Sequence, residues 1–240
     1  EEKTGLVPTT KWKLKNIGRG WVLGETLLAG IGQGYFQTTP IQLCLMTAQL
    51  VNGGYKIKPR IIDDKNALEP IILAWREEFT YRNKEKSDFN TTTSSQTADL
   101  PVNVGSNLLK LYRNPENVKF VLDAQFGATN EPMGTSYRSR HVKPEYIFAG
   151  KTGTSQIRSI TAEERELKLK QKDLPYKRRD HALFTAFAPY KNPRYAFSVV
   201  IEHGGTGSSA AAPIAKKLIK IVLDRQQLRK KYQPDLLQEV

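Results

Sequence analysis

Lys151, Thr152, Gly153 and Thr154 place an ammonium, two hydroxyls and a residue without a side chain on consecutive positions, one residue after the apolar run Tyr146, Ile147, Phe148, Ala149. On a strand edge these groups suit an anionic, peptide-like ligand. Lys151 would meet a carboxylate with positive charge, Thr152 and Thr154 would hydrogen-bond it, and Gly153 would let another backbone come close. The backbone N–H of Thr154 would take a catalytic part as an oxyanion donor; loss of one such donor costs ~10²–10³ in rate.

Acyl transfer at such a site also needs an activated nucleophile, and none is legible. No serine in the 240 residues has lysine three positions later, and no Ser-x-Asn triplet occurs. Ser106 comes nearest, with Lys110 one position late. Thr135 and Ser136 follow Gly134 without an evident base and read as turn residues. His181 and His203 lie beside apolar, strand-like runs and read as surface or hydrogen-bonded core residues.

A Lys-Thr-Gly triplet arises by chance in about one chain in ten to twenty of this length. Lys3, Thr4 and Gly5 form such a copy, with no strand signal before it. The copy at Lys151 differs in its setting, because it lies in the first of three strand-like runs in the last hundred residues, Tyr146 to Ile157, with Ala182 to Ala188 and Tyr195 to Glu202 following. They read as an antiparallel sheet, with Pro189 to Pro193 as the turn between the last two.

Helices must cover that sheet. Thr39 and Pro40 are an N-cap and first helical residue, and Ile41 to Val51 are apolar on too many sides for an exposed helix, so it is expected to be buried. A second helix is expected after Pro115, through Val118, Val121, Leu122 and Phe126, stopping before Gly127. In the last helix Ile214, Leu218, Ile221 and Val222 form the expected buried stripe, opposite Lys216, Lys217 and Lys220. Tyr55 to Ile62 reads as an extended edge, and residues 82–101 as a mobile insertion or linker. Residues 161–180 read as a solvated helix and loop inserted between two strands.

Composition bounds the rest. At 39% hydrophobic residues the 240-residue chain can bury a real core, and no run approaches the ~18 apolar residues of a membrane span. One cysteine, Cys44, excludes an intrachain disulfide, and it reads as a buried thiol in a helix. His141, His181 and His203 have no metal-ligand spacing, so no metal is expected. The formal charge of +13 favours anionic partners, yet no nucleic-acid motif accompanies it, and its two lysine- and arginine-rich clusters read as solvated faces. The glycines at 30, 32 and 34 do not continue into a phosphate-loop pattern.

The run AGKTGTSQ, followed by LFTAFAPYKNPRYAFSVVIEHGG and a terminal helix, resembles the end of a class B penicillin-binding protein transpeptidase domain. GIGQGYFQTTPIQL with NGGYKIKPRII resembles the segment before it, and FGATNEPMGTSYRS the stretch leading into the Lys-Thr-Gly strand. Together they point to the elongation-type subgroup, penicillin-binding protein 2. The likeness covers residues 1–62 and 118–224, and residues 63–117 match no pattern of that family.

The resemblance implies an α+β fold, an antiparallel β-sheet with packed helices like that of the serine β-lactamases. It implies a peptidoglycan D,D-transpeptidase that cross-links stem peptides by serine acyl transfer and is acylated by β-lactams. Lys151, Thr152, Gly153 and Thr154 carry the substrate wall by position, while Gly30, Gln33 and Gly34 match a motif that shapes the domain. Implied partners are stem peptides, β-lactams, a glycosyltransferase and membrane proteins of the elongation complex, at the periplasmic face of the bacterial inner membrane, with no cofactor and no nucleic acid. The chain departs from the family in lacking the nucleophile and base, which are expected upstream of Glu1. Residues 1–240 are thus expected to be the C-terminal part of one transpeptidase domain, inactive alone and prone to self-association. The rival readings are a β-lactamase or D,D-carboxypeptidase relative, and a non-catalytic remnant that binds a cell-wall peptide or protein partner.

Overall fold

A computed structural model of the chain describes residues 3–59, 110–158, 162–167 and 170–232. The expected insertion at 82–101, and Arg60 to Ile62 of the extended segment, lie outside the described residues. Of that segment, Tyr55 forms only an isolated bridge with Lys110.

Three strands form one antiparallel sheet in the order β1 (Ala149–Ser155), β2 (His181–Ala188), β3 (Tyr195–Ile201). The register pairs Lys151 with Thr185 and Gly153 with Leu183 across β1 and β2. β1 starts three residues later than the apolar run suggests, because Pro144–Tyr146 closes a 3-10 turn. Proline's fixed φ favours that turn, and Tyr146 is buried there with its hydroxyl donated to Asp224.

Both faces of the sheet are covered. On one, Phe148, Phe184, Ala186 and Ala188 pack against Ala211, Ala212, Ala215, Ile219 and Leu223. On the other, Ala149 and Phe187 pack against Leu50, Val51, Val118 and Leu122. The covering helices are α3 (Pro40–Val51) and α4 (Pro115–Asn130) on the second face. Two shorter helices, α1 (Thr10–Ile17) and α2 (Leu23–Gly30), precede them. Helix α5 (Ala162–Glu166) lies between β1 and β2, and α6 (Ala212–Tyr232) covers the first face.

Local chemistry explains the helix starts. Thr39 accepts from the Gln42 N–H at 3.3 Å while the Gln42 side chain accepts from the Thr39 N–H at 2.9 Å, with Pro40 first in the helix. Asn114 caps α4 through the Glu116 N–H at 2.8 Å.

Three expectations need correction. Helix α4 runs through Gly127 to Asn130, because its last turn is tied to β1: the Asn130 amide donates to the Phe148 carbonyl at 2.9 Å and Thr129 is fully buried. Helix α3 is only partly buried, with Thr47, Leu50 and Val51 inside and Ile41 and Met46 each 46% exposed. Helix α6 turns a different stripe inward. Ala212, Ala215, Ile219 and Leu223 are buried, whereas Ile214, Leu218 and Ile221 are 39%, 41% and 60% exposed. Small alanines let the helix axis come close to the sheet, and the bulkier stripe one position away is left outside.

The excursion after β1 is a short helix and two 3-10 turns, as expected of an insert between strands. It is pinned rather than merely solvated. Glu164 takes Arg158 at 2.5 Å and Arg178 at 3.1 Å, so part of the basic block is spent on an ion-pair network. Cys44 is half-buried, with its thiol on the Ala196 carbonyl at 3.4 Å, and burial pushes it above the usual thiol range.

His141 anchors α6 from below, its Nε2 donating to the Lys216 carbonyl at 3.1 Å. Burial holds it below the usual histidine range, with the charges of Lys216 and Lys220 adding to the effect. A histidine lowered in the folded state binds fewer protons there than when unfolded, so its contribution is present above about pH 6.5 and is lost as pH falls. The urea midpoint is therefore expected to drop between about pH 7 and pH 5, less steeply in His141→Gln.

Candidate active site at the edge of the sheet

All four residues singled out in the sequence fall on β1, at the edge of the sheet, and no described strand pairs with its outer side. Alternation places Lys151 with Ala149 on the face covered by α3 and α4, and Thr152 and Thr154 on the face covered by α6. Lys151 and Thr154 are exposed, while Thr152 and Gly153 are half-buried.

The backbone of β1 sorts by edge. Phe148 and Gly150 turn their carbonyls outward, to Asn130 at 2.9 Å and to the Thr129 hydroxyl at 3.4 Å. The N–H and C=O of one strand residue share a side and alternate along the chain, so the polar backbone groups of Thr152 and Thr154 also face the open edge. The Lys151 ammonium donates to that outward Thr152 carbonyl at 2.7 Å, and no described carboxylate pairs with it. The open edge therefore presents a cation, two hydroxyls and an outward N–H at Thr154.

Glycines set the strand's depth. A Cβ at Gly150 would stand 2.5 Å from the Thr185 carbonyl oxygen. At Gly207, just before α6, it would stand 2.6 Å from the Gly153 oxygen and 2.9 Å from its nitrogen. The backbone that crowds Gly153 is thus the chain's own, from the turn entering α6. Gly30 ends α2, and Gln33 and Gly34 lie in the segment between α2 and α3, where Gly32 and Gly34 take φ of 73° and 81°.

Two contributors were not legible as site residues. Thr135, read as a turn residue, has its hydroxyl 3.2 Å from that of Thr152, forming a second polar flank. Asp180, 5% exposed, closes the exit of β1. Its carboxylate accepts from the Ile157 N–H at 3.3 Å and the Gln171 amide at 2.7 Å, and Gln171 accepts in return from the Asp180 N–H at 2.9 Å. Beside it His181 accepts from the His203 N–H at 2.9 Å, and the His203 ring meets the Arg179 carbonyl at 3.0 Å. Both histidines thus serve the turn, in line with the structural reading. Asp180→Ala leaves two donors without an acceptor, and an expected loss of about 1–3 kcal/mol would be read from urea unfolding. Among the described residues no group of three His, Cys, Asp or Glu side chains could hold a metal.

The profile of the penicillin binding protein transpeptidase domain matches residues 1–220. The peptidoglycan D,D-transpeptidase MrdA of Salmonella typhimurium is 33% identical over 226 residues, 94% of this chain and 31% of the relative. The MrdA protein of Acinetobacter baumannii is 32% identical over 237 residues, 97% of this chain and 29% of the relative. The chain thus spans about a third of the length of these relatives. Among solved structures, Pseudomonas aeruginosa PBP2 in complex with WCK 5153 superposes with a TM-score of 0.61 at 31% identity, covering 92% of this chain and 38% of that one. PBP2 of Helicobacter pylori in complex with MreC gives 0.64 at 25% identity, covering 93% and 32%. With an α+β sheet carrying Lys-Thr-Gly-Thr on its open edge, the chain belongs to the penicillin-binding protein transpeptidase family, on its penicillin-binding protein 2 branch.

Proposed function

We propose that this chain forms one wall of a serine D,D-transpeptidase site that cross-links peptidoglycan stem peptides during cell-wall elongation. The observation that carries the reading is the Lys151 to Thr154 segment on a strand edge with which no described strand pairs. An extended stem peptide lies along that edge as an added strand. Lys151 and the hydroxyls of Thr152 and Thr154 take its terminal carboxylate, with Thr135 beside them, and the Thr154 N–H holds the oxyanion as the carbonyl becomes tetrahedral. A penicillin carboxylate uses the same groups.

The serine and its lysine base come from outside this chain, since no Ser-x-x-Lys occurs within it. The serine oxygen gives up its proton to the base and bonds to the penultimate D-alanine carbonyl. The peptide bond to the last D-alanine breaks with that proton going to the departing amine, and an acceptor amine then releases the enzyme. The working place is the periplasmic face of the inner membrane, with a glycosyltransferase and elongation-complex membrane proteins as partners. The Helicobacter neighbour, a complex with MreC, supports a partner of that kind.

Intact mass after incubation with benzylpenicillin tests this. The full-length gene product is expected to gain one penicillin mass and the 240-residue chain none. An adduct on the short chain would overturn the placement of the nucleophile, and an adduct on neither would favour the non-catalytic remnant.

A further inference from the structure

Away from the strand edge, an open groove of about 480 Å³ runs between the loop before β1 and the start of α6. Arg138, Lys216, Lys217 and Lys220 line it, together with Ser139 and His141, and none of Lys151 to Thr154 does. No carboxylate of the described residues lines it. Asp224, whose charge reaches His141, is held by Lys220 and by the Tyr146 hydroxyl.

The groove also has a built polar floor. Ser139 is only 4% exposed, yet its hydroxyl makes no hydrogen bond among the described residues, and it lines the cavity. That hydroxyl is not fully enclosed, so it is open from the groove side to a ligand or to water. Ser208 and Ser209 add hydroxyls from the turn that enters α6. The neighbouring charges of Lys216 and Lys220 act on His141 as they would on any group in a positive field, disfavouring its protonation.

The geometry points to a binding site for a phosphate-bearing ligand, gripped by its phosphoryl oxygens between Arg138 and the lysines of α6. One carboxylate would leave most of the cationic charge unanswered. A phosphoryl group offers three or more acceptor oxygens, a match for lysine point charges, an arginine fork and serine hydroxyls together. The groove has room for more than one phosphate, so a second phosphoryl group or a polar arm fits within it. The shared chemistry comes from two sources, a soluble phosphate ester or the headgroup of an anionic lipid. The site does not depend on the transpeptidase reading.

Calorimetric titration of the full-length gene product with pyrophosphate, at ionic strength fixed with chloride, tests the site. Binding is expected, weakened about tenfold or more in Arg138→Ala/Lys217→Ala and retained in Arg138→Lys/Lys217→Arg, with the urea midpoint unchanged in both. A parallel titration with water-soluble dihexanoyl phosphatidic acid identifies the source. Tighter binding than pyrophosphate assigns the lipid headgroup, and equal or weaker binding assigns the soluble ester. No pyrophosphate binding, equal binding to the double alanine variant, or binding of a hexaglutamate peptide in preference to pyrophosphate would overturn the proposal.

Discussion

Lys151→Ala in the full-length gene product is expected to slow acylation by benzylpenicillin about ten- to a hundredfold, the worth of one charge-assisted contact. The ammonium stands on the open edge without a described carboxylate, so its charge is available to a ligand. The loss should fall on the second-order rate constant of acylation, because the contact holds the carboxylate in the docked state and in the transition state alike. Lys151→Arg should recover only part of it, since a guanidinium at this position changes both reach and geometry. Stability should barely move, as Lys151 is exposed and its one hydrogen bond is to the adjacent residue's carbonyl. Stopped-flow acylation beside urea unfolding separates the two. Wild-type acylation in the alanine variant would contradict the role given to this lysine.

The second large effect is expected from a single methyl group. Gly207→Ala puts a Cβ 2.3 Å from the Leu183 carbonyl oxygen and 2.6 Å from that of Gly153. These are backbone atoms of the sheet and cannot swing aside. The start of α6 must therefore retreat from β1, at an overpacking cost of about 1–3 kcal/mol. Because Gly153 lies between Thr152 and Thr154, the retreat moves the edge groups themselves, and small misplacements cost rate steeply. Acylation should slow about tenfold or more beyond what the lowered stability explains. Unfolding midpoints and acylation rates both at wild-type values would show that Gly207 does not set the position of β1.

The strand edge was legible because its chemistry is local: four neighbouring residues, an apolar lead-in and turn residues between β2 and β3. The start of α3 was legible for the same reason, since Thr39, Pro40 and Gln42 close the cap within four residues. What escaped depends on contacts distant in sequence. Helix α6 offers two apolar stripes a turn's fraction apart, and the bulkier one drew the reading; the sheet selects the alanine side because alanine permits close approach. Gly127 read as a helix stop, but the Thr129 and Asn130 bonds to β1 carry α4 onward by another turn. Thr135 looked like one more turn hydroxyl until β1 brought Thr152 within 3.2 Å of it. Helix α1 has few apolar positions to reveal it, and α2 buries none of its residues among those described.

The most direct test is a crystal structure of the full-length gene product acylated by a penicillin. The account predicts the penicillin carboxylate within about 3 Å of the Thr152 or Thr154 hydroxyl and near the Lys151 ammonium, with the acyl oxygen on the Thr154 N–H. An adduct whose carboxylate and acyl oxygen both sit away from β1 would contradict it.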